Sequence, residues 1–264
     1  MSNLIRKCFE SNNKKIVTFI TGGDPNFEIS KDIIEIIIKN KIDILEIGMP
    51  FSDPMADGPT IQLSSNRALK NDINLDKIFQ LVSFSKNKNN KLPIILMGYY
   101  NVIFHYGIER FVIECNKSGV DGLIIVDLQP EEDEDLTTQL KLSNIDLIRL
   151  ITPTTNENRL KLILKNASGF LYFVSVMGTT GQKSVNIEEL KKSINFIKAH
   201  TNLPVIPGFG IKNASDVNRV CKIADGAVVG SSIIKIIEEN LQDKDIMLKK
   251  IENFTRELKE GTKI

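Results

Sequence analysis

Two rhythms of apolar and polar positions take turns along this chain. Short runs rich in β-branched and aliphatic residues, bounded by Gly, Pro, Asn or Asp, fall at 16–21, 44–49, 93–99, 123–126, 145–151, 170–176, 205–209 and 226–230. Apolar runs of this length, closed by turn residues, are the pattern of strands buried on both faces. Between them lie longer stretches of helical pattern at 29–40, 75–85, 108–117, 131–142, 157–165, 187–199, 214–223 and 233–240. Further helices are expected at 2–12 and at 246–258. Strands that alternate with helices in this way argue for a parallel sheet joined by right-handed crossovers. Eight such units favour an α/β chain closed into a single (β/α)8 TIM barrel over an open doubly wound sheet. The barrel would span residues 1–264 as one domain, with an extra N-terminal helix and an extra C-terminal helix.

Length and composition fit that picture and narrow the function. The chain has 264 residues, and barrels of this type run to about 250. Its 34 basic and 33 acidic residues leave a net charge of +1, so no basic field points to nucleic acid or to a membrane surface. No run approaches the roughly 18 apolar residues that span a bilayer. Residues 1–15 lack the apolar segment of a secretory signal, so a cytoplasmic location is expected. Cys8, Cys115 and Cys221 are scattered, with neither a paired framework nor a metal-ligand spacing, and read as free thiols. With His105 and His200 as the only histidines, a multi-His metal site is not expected.

In a barrel the chemistry sits at the C-terminal ends of the strands. The second strand leads into Leu45-Glu46-Ile47-Gly48-Met49-Pro50-Phe51-Ser52-Asp53-Pro54-Met55-Ala56-Asp57-Gly58-Pro59. Side chains alternate along a strand. If Leu45 and Ile47 face the helices, Ile44, Glu46 and Gly48 face the barrel axis. An ionised, unpaired Glu there would cost several kcal/mol, so Glu46 is either paired structurally or tuned for proton transfer. Asp57 precedes Gly58-Pro59 and, taken alone, fits turn chemistry equally well; Asp53 before Pro54 fits it better.

Other strand ends carry glycine. The sixth is followed by Met177-Gly178-Thr179-Thr180-Gly181, the seventh ends in Pro207-Gly208-Phe209-Gly210, and the eighth in Gly230-Ser231 at the start of a helix. Glycine exposes backbone N–H groups to an anion, and a helix N-terminus adds a favourable dipole. Each glycine alone suits a tight turn; together, beside strands seven and eight, they point to a phosphate. Phe19, Met97, Tyr99, Tyr172 and Phe209 also lie near strand ends, and Tyr172 alternates with Phe170 and Val174, compatible with an inward hydroxyl near Glu46. A phosphate, an apolar wall and carboxylates suggest a substrate with a phosphate tail and a flat apolar head.

The stretch from Leu45 to Gln62 resembles the signature of the tryptophan synthase alpha chain family. So do Asn66-Arg67-Ala68-Leu69, Met97-Gly98-Tyr99-Tyr100-Asn101, Gly119-Val120-Asp121-Gly122, Pro153-Thr154-Thr155, Gly208-Phe209-Gly210-Ile211 and Gly230-Ser231. The resemblance implies a lyase that cleaves indole-3-glycerol phosphate to indole and glyceraldehyde 3-phosphate by a retro-aldol reaction. It implies Glu46 as general acid/base and Asp57 as the carboxylate facing the indole N–H. It further implies Gly181, Gly210, Gly230 and Ser231 as phosphate contacts, and Phe19, Met97 and Phe209 as the indole pocket. Tyr172 would stand beside Glu46, and Thr180 would hold Asp57 when loops 53–60 and 178–184 close. The implied partner is a β chain in an α2β2 complex. Pyridoxal phosphate is expected only on that chain, with no cofactor or metal in this one. Two departures stand out. Val176 and Met177 replace a basic and a small hydroxyl residue before Gly178, and Gln129 stands where the family tends to have Pro, in a region of the subunit interface. A non-catalytic phosphate-binding subunit is an alternative that the first departure favours. Another phosphosugar isomerase or aldolase on this barrel would leave Glu46 and Asp57 unexplained.

Overall fold

A computed structural model describes residues 3–174, 187–208 and 210–264. The strands are β1 (Lys15–Thr21), β2 (Ile44–Gly48), β3 (Ile94–Gly98), β4 (Gly122–Ile125), β5 (Asp146–Leu147), β6 (Arg149–Ile151), β7 (Leu171–Val174), β8 (Val205–Gly208) and β9 (Gly226–Val229). All the pairings are parallel, in the order β5-β4-β3-β2-β1-β9 and β6-β7-β8. β5 and β6 are two pieces of one barrel strand. Between them Ile148 still donates to the Leu123 carbonyl at 2.9 Å, and its side chain joins the interior cluster. At the other seam Asp225 links β8 to β9, its N–H reaching the Val205 carbonyl at 3.2 Å. The eight strand positions therefore form the (β/α)8 barrel that the apolar runs predicted.

Alternation divides the core in two. Val17, Ile44, Ile95, Ile124, Ile148, Phe170, Tyr172, Ile206 and Val228 fill the barrel interior. Residues between these on the strands, such as Leu45, Ile47, Leu96, Leu123 and Val229, pack outward under the helices. The leading helix α1 (Asn3–Glu10) closes the N-terminal end of the barrel: Ile5 is wholly buried in the interior cluster, and Phe9 packs on Phe170 with centroids 5.9 Å apart. Later helices are α2 (Phe27–Lys39), α3 (Pro59–Lys70), α4 (Leu75–Lys88), α5 (Tyr100–Tyr106), α6 (Ile108–Ser118), α7 (Glu134–Leu140), α8 (Glu157–Leu164), α9 (Ile187–Lys198), α10 (Ala214–Cys221), α11 (Ser231–Glu239) and α12 (Lys244–Gly261). The C-terminal α12 packs on α2 and α10, and Gly261 lies against the Ala214 carbonyl, where a Cβ would come within 2.6 Å.

A repeated device stiffens the end of the barrel away from the site. Asp43, Asp121 and Asp225 each stand immediately before a strand. Each carboxylate accepts the N–H of a residue at the start of the preceding barrel strand, from Ile16 at 2.9 Å, Ile94 at 2.8 Å and Val205 at 2.7 Å. Each also pairs with a lysine from the helical layer: Lys259, Lys86 and Lys198. In the remaining quarter Ser168 Oγ accepts the Leu147 N–H instead. Buried backbone donors need such acceptors, and these carboxylates supply them without extending the ladder.

Two helices were not anticipated. α3 follows β2 after the loop at 49–58 and α5 follows β3 almost directly, and neither shows the apolar period of the other helices. The inner face of α3 is Ser64, Ser65 and Ala68; its contact with β1 is polar, with Thr21 and Ser64 hydroxyls 2.5 Å apart. Arg67 adds a paired contact from Nε and Nη2 to the buried carboxylate of Asp24, at 2.7 and 2.9 Å. These contacts anchor the helix that ends the Asp57 loop.

Candidate active site

Glu46 lies in the middle of β2, in register with Phe19 of β1 and Ile95 of β3. Strand alternation turns it into the barrel with Ile44, and it is 0% exposed. Among the described residues neither of its carboxyl oxygens has a hydrogen-bond partner. Burial, and secondarily the charge of Asp57, pushes its pKa up to about 8. Desolvation disfavours the charged form of an acid, so Glu46 rests largely protonated at neutral pH.

Asp57 reaches the same mouth from the loop between β2 and α3. The loop turns tightly: Met55 N–H donates to the Asp53 carbonyl at 2.9 Å and Asp57 N–H to the Pro54 carbonyl at 3.0 Å. Gln62 Nε2 donates to the Asp57 carbonyl at 2.9 Å. Gly58 and Pro59 then open α3, with Pro at its first position, where the missing N–H costs nothing. Burial raises the Asp57 carboxyl above its ordinary range, and a hydrogen bond from Tyr99 opposes that rise. Asp57 ionises first; Glu46, still neutral then, later feels its charge. Two carboxyls thus sit together in opposite protonation states at neutral pH, the arrangement that divides acid and base roles.

Tyr172 of β7 projects into the interior cluster. Burial, then the charges of Glu46 and Asp57, holds its phenol well above its ordinary pKa, so it stays a neutral hydroxyl. Gly208 makes room for it: a Cβ there would meet the Tyr172 Oη at 2.2 Å. Phe19 and Met97 line a cavity of about 20 Å³ with Asp57, Tyr99 and Val126. That is room for about one water. Gly230 caps α11 without a side-chain hydrogen bond, and Ser231 is its first residue. Gly230 touches the same wall, since a Cβ on it would meet Phe19 Cβ at 2.9 Å. Gly210 is exposed on the loop after β8 with φ +74, a conformation that favours glycine. Thr180, Gly181 and Phe209, and with them Val176 and Met177, lie outside the described residues. Gln129 accepts a hydrogen bond from Arg159, which also pairs with Glu131. Asp53, a turn residue, stays exposed, and its carboxylate accepts the Ser52 hydroxyl at 2.5 Å.

Sequence reasoning left Tyr99 among possible core aromatics. Its hydroxyl accepts the Ala56 N–H at 3.0 Å, and its ring stacks on Phe51 with centroids 5.3 Å apart. Both partners lie on the Asp57 loop, more than forty positions away, and no local pattern signals the contact. The Asp24–Arg67 pair was missed for the same reason. Among the described residues no cluster of His, Cys, Asp and Glu is placed to hold a metal.

A parallel barrel with a carboxyl inside its mouth that has no partner among the described residues, a second carboxyl beside it and a glycine-led helix start after β9, on the other side of β1, defines a class: barrel enzymes that move protons on a small phosphorylated substrate. The family model of the tryptophan synthase alpha chain matches residues 5–263. The tryptophan synthase alpha chain of Petrotoga mobilis is 45% identical over 248 residues, covering 94% of this chain and 96% of that protein. The one from Geotalea uraniireducens is 44% identical over 254 residues, covering 96% and 94%. The crystal structure of the alpha chain from Legionella pneumophila superposes with a TM-score of 0.90 at 33% identity, covering 99% of this chain and 98% of that one. The chain belongs to the tryptophan synthase alpha chain family.

Proposed function

We propose that this chain cleaves indole-3-glycerol phosphate to indole and D-glyceraldehyde 3-phosphate, as the alpha subunit of an α2β2 complex in the last step of L-tryptophan biosynthesis. Family membership supports the activity and the β-chain partner. One observation carries the mechanism: the Glu46 carboxyl is buried and unpartnered among the described residues, with a pKa near 8.

Protonated Glu46 delivers its proton to the indole carbon that bears the glycerol chain. Positive charge develops on the ring nitrogen, and the Asp57 carboxylate stabilises it. Glu46, now a carboxylate, takes the proton from the hydroxyl on the adjacent carbon. The carbon–carbon bond breaks, its electron pair returns to the ring, and the hydroxyl carbon becomes the aldehyde of glyceraldehyde 3-phosphate. Glu46 ends protonated, so proton and electron counts close without a cofactor in this chain; pyridoxal phosphate belongs to the β chain. Tyr172 supports Glu46 as a neutral neighbour. Phe19, Met97 and Phe209 hold the ring. Gly181, Gly210, Gly230 and Ser231 hold the phosphate, with the dipole of α11 behind the last two. Thr180 completes the closed state by engaging Asp57, and closure excludes water. The whole chain acts as one barrel domain in the cytoplasm.

The test is indole release from indole-3-glycerol phosphate by the purified chain, alone and with a β chain. Wild type is expected to turn over in both and faster in the complex, and Glu46→Gln to lose activity in both. Comparable turnover by Glu46→Gln would refute the assignment. Wild-type binding without turnover, even in the complex, would favour a non-catalytic subunit.

A further inference from the structure

Tyr99 directly follows β3 and is 3% exposed. Its backbone belongs to the rigid frame. Met49 N–H donates to the Met97 carbonyl at 2.7 Å, extending the β2–β3 ladder, and Tyr100 N–H is held by Asp127 at 2.8 Å. Its side chain belongs to the loop after β2, touching it through Phe51 and Ala56. A phenol offers one proton and accepts through its lone pairs. The Ala56 N–H points at the oxygen at 3.0 Å, which leaves the phenol proton unused by that bond, and Tyr99 and Asp57 line the same cavity.

We propose that Tyr99 is a positioning residue for the reaction assigned above. Its hydroxyl holds the Ala56 N–H and its ring packs on Phe51, fixing the loop that carries Asp57 and setting that carboxylate toward the ring N–H of the substrate. The proposal rests on that assignment for its kinetic consequence and on the Ala56 and Phe51 contacts for the positioning. Among the described residues three titratable groups interact with Asp57: Glu46 from β2, Tyr99 from the end of β3 and Tyr172 from β7. Glu46 is neutral where Asp57 titrates, and Tyr172 stays protonated. Tyr99 is the one group shown to pull Asp57 back toward its ordinary range. Its own ionisation is pushed up, first by burial and then by Asp57, with Asp127 a smaller contributor. It therefore remains a donor throughout the working range.

The experiment compares wild type, Tyr99→Phe and a chain carrying 3-fluorotyrosine at position 99, each full length, with and without a β chain. Two quantities are read against pH: kcat and KM for indole release, and the 13C carboxyl shift of Asp57. A hydrogen bond to a carboxylate is worth roughly one pH unit. Tyr99→Phe is expected to move the acid limb of kcat/KM and the Asp57 titration upward together by about that much. It should lower kcat about tenfold with KM changed less than about threefold. Fluorotyrosine, a stronger donor, should move both limb and titration downward, and it keeps the test open if the Phe variant folds poorly. Unmoved Asp57 titrations in both variants, or a loss confined to KM, would overturn the proposal. If wild type releases no indole, the assigned reaction fails, while the Asp57 titration still decides whether Tyr99 holds it.

Discussion

Replacing Glu46 by Gln should remove the activity and stabilise the fold, with a pH dependence set by burial. The pKa of Glu46 is about 8 in the folded chain against an ordinary 4.5. Below 4.5 the carboxyl is protonated in both the folded and unfolded states, and its titration costs nothing. As pH rises from 4.5 to 8 the unfolded chain releases the proton while the folded chain keeps it. Stability falls over that window by about 1.4 kcal/mol per unit, and levels off above it. The cost is about 4 kcal/mol at pH 8 and under about 1 kcal/mol at pH 5. Gln has nearly the same shape and no charge to release, so the variant escapes the cost. Urea unfolding of both proteins at pH 5 and pH 8 checks this. The variant should gain about 4 kcal/mol over wild type at pH 8 and little at pH 5, while indole release falls by about two to four orders of magnitude. An equal difference at both pH values would refute the reasoning, since it would show that Glu46 ionises alike in the folded and unfolded chain.

Three further outcomes follow from the same structure. Asp57→Asn should cut kcat for indole release by about 100- to 1,000-fold, and should lower the alkaline limb of the profile by under about one pH unit, because burial outweighs Asp57 in raising Glu46. Asp121→Ala strands the Ile94 N–H and takes the carboxylate partner from the half-buried Lys86, which keeps only the Leu92 carbonyl among its described partners; urea unfolding should show a loss of about 1–3 kcal/mol, with kcat of the folded fraction unchanged because the pair lies at the far end of the barrel. Arg67→Ala leaves the Asp24 carboxylate buried without its bidentate partner, and a loss of similar size, about 3–5 kcal/mol, should appear in thermal or urea unfolding.

The eight strand positions were legible because strands buried on both faces read as largely apolar runs closed by turn residues. Alternation within 44–49 was enough to turn Glu46 inward. The break at Ile148 was hidden, since Ile148 continues the apolar character of Leu147 and only the barrel's curvature tells which face it takes. α3 escaped because it packs on β1 through Ser64, Ser65 and Ala68, small and polar residues that leave no hydrophobic period. Tyr99 and Arg67 escaped for a different reason: each acts on a partner more than forty positions away, and only chain topology brings the pair together. Asp57 alone looked like a turn residue. Its loop is indeed a turn, and the same geometry aims its carboxylate into the mouth beside Glu46.

The pH dependence of kcat/KM for indole release from indole-3-glycerol phosphate tests the central claim, that a protonated Glu46 starts the reaction. The account predicts a rate that falls above about pH 8, the pKa that burial and Asp57 set, along the slope of a single proton. A rate that keeps rising through pH 8, as expected if the carboxylate were the starting form, would contradict it.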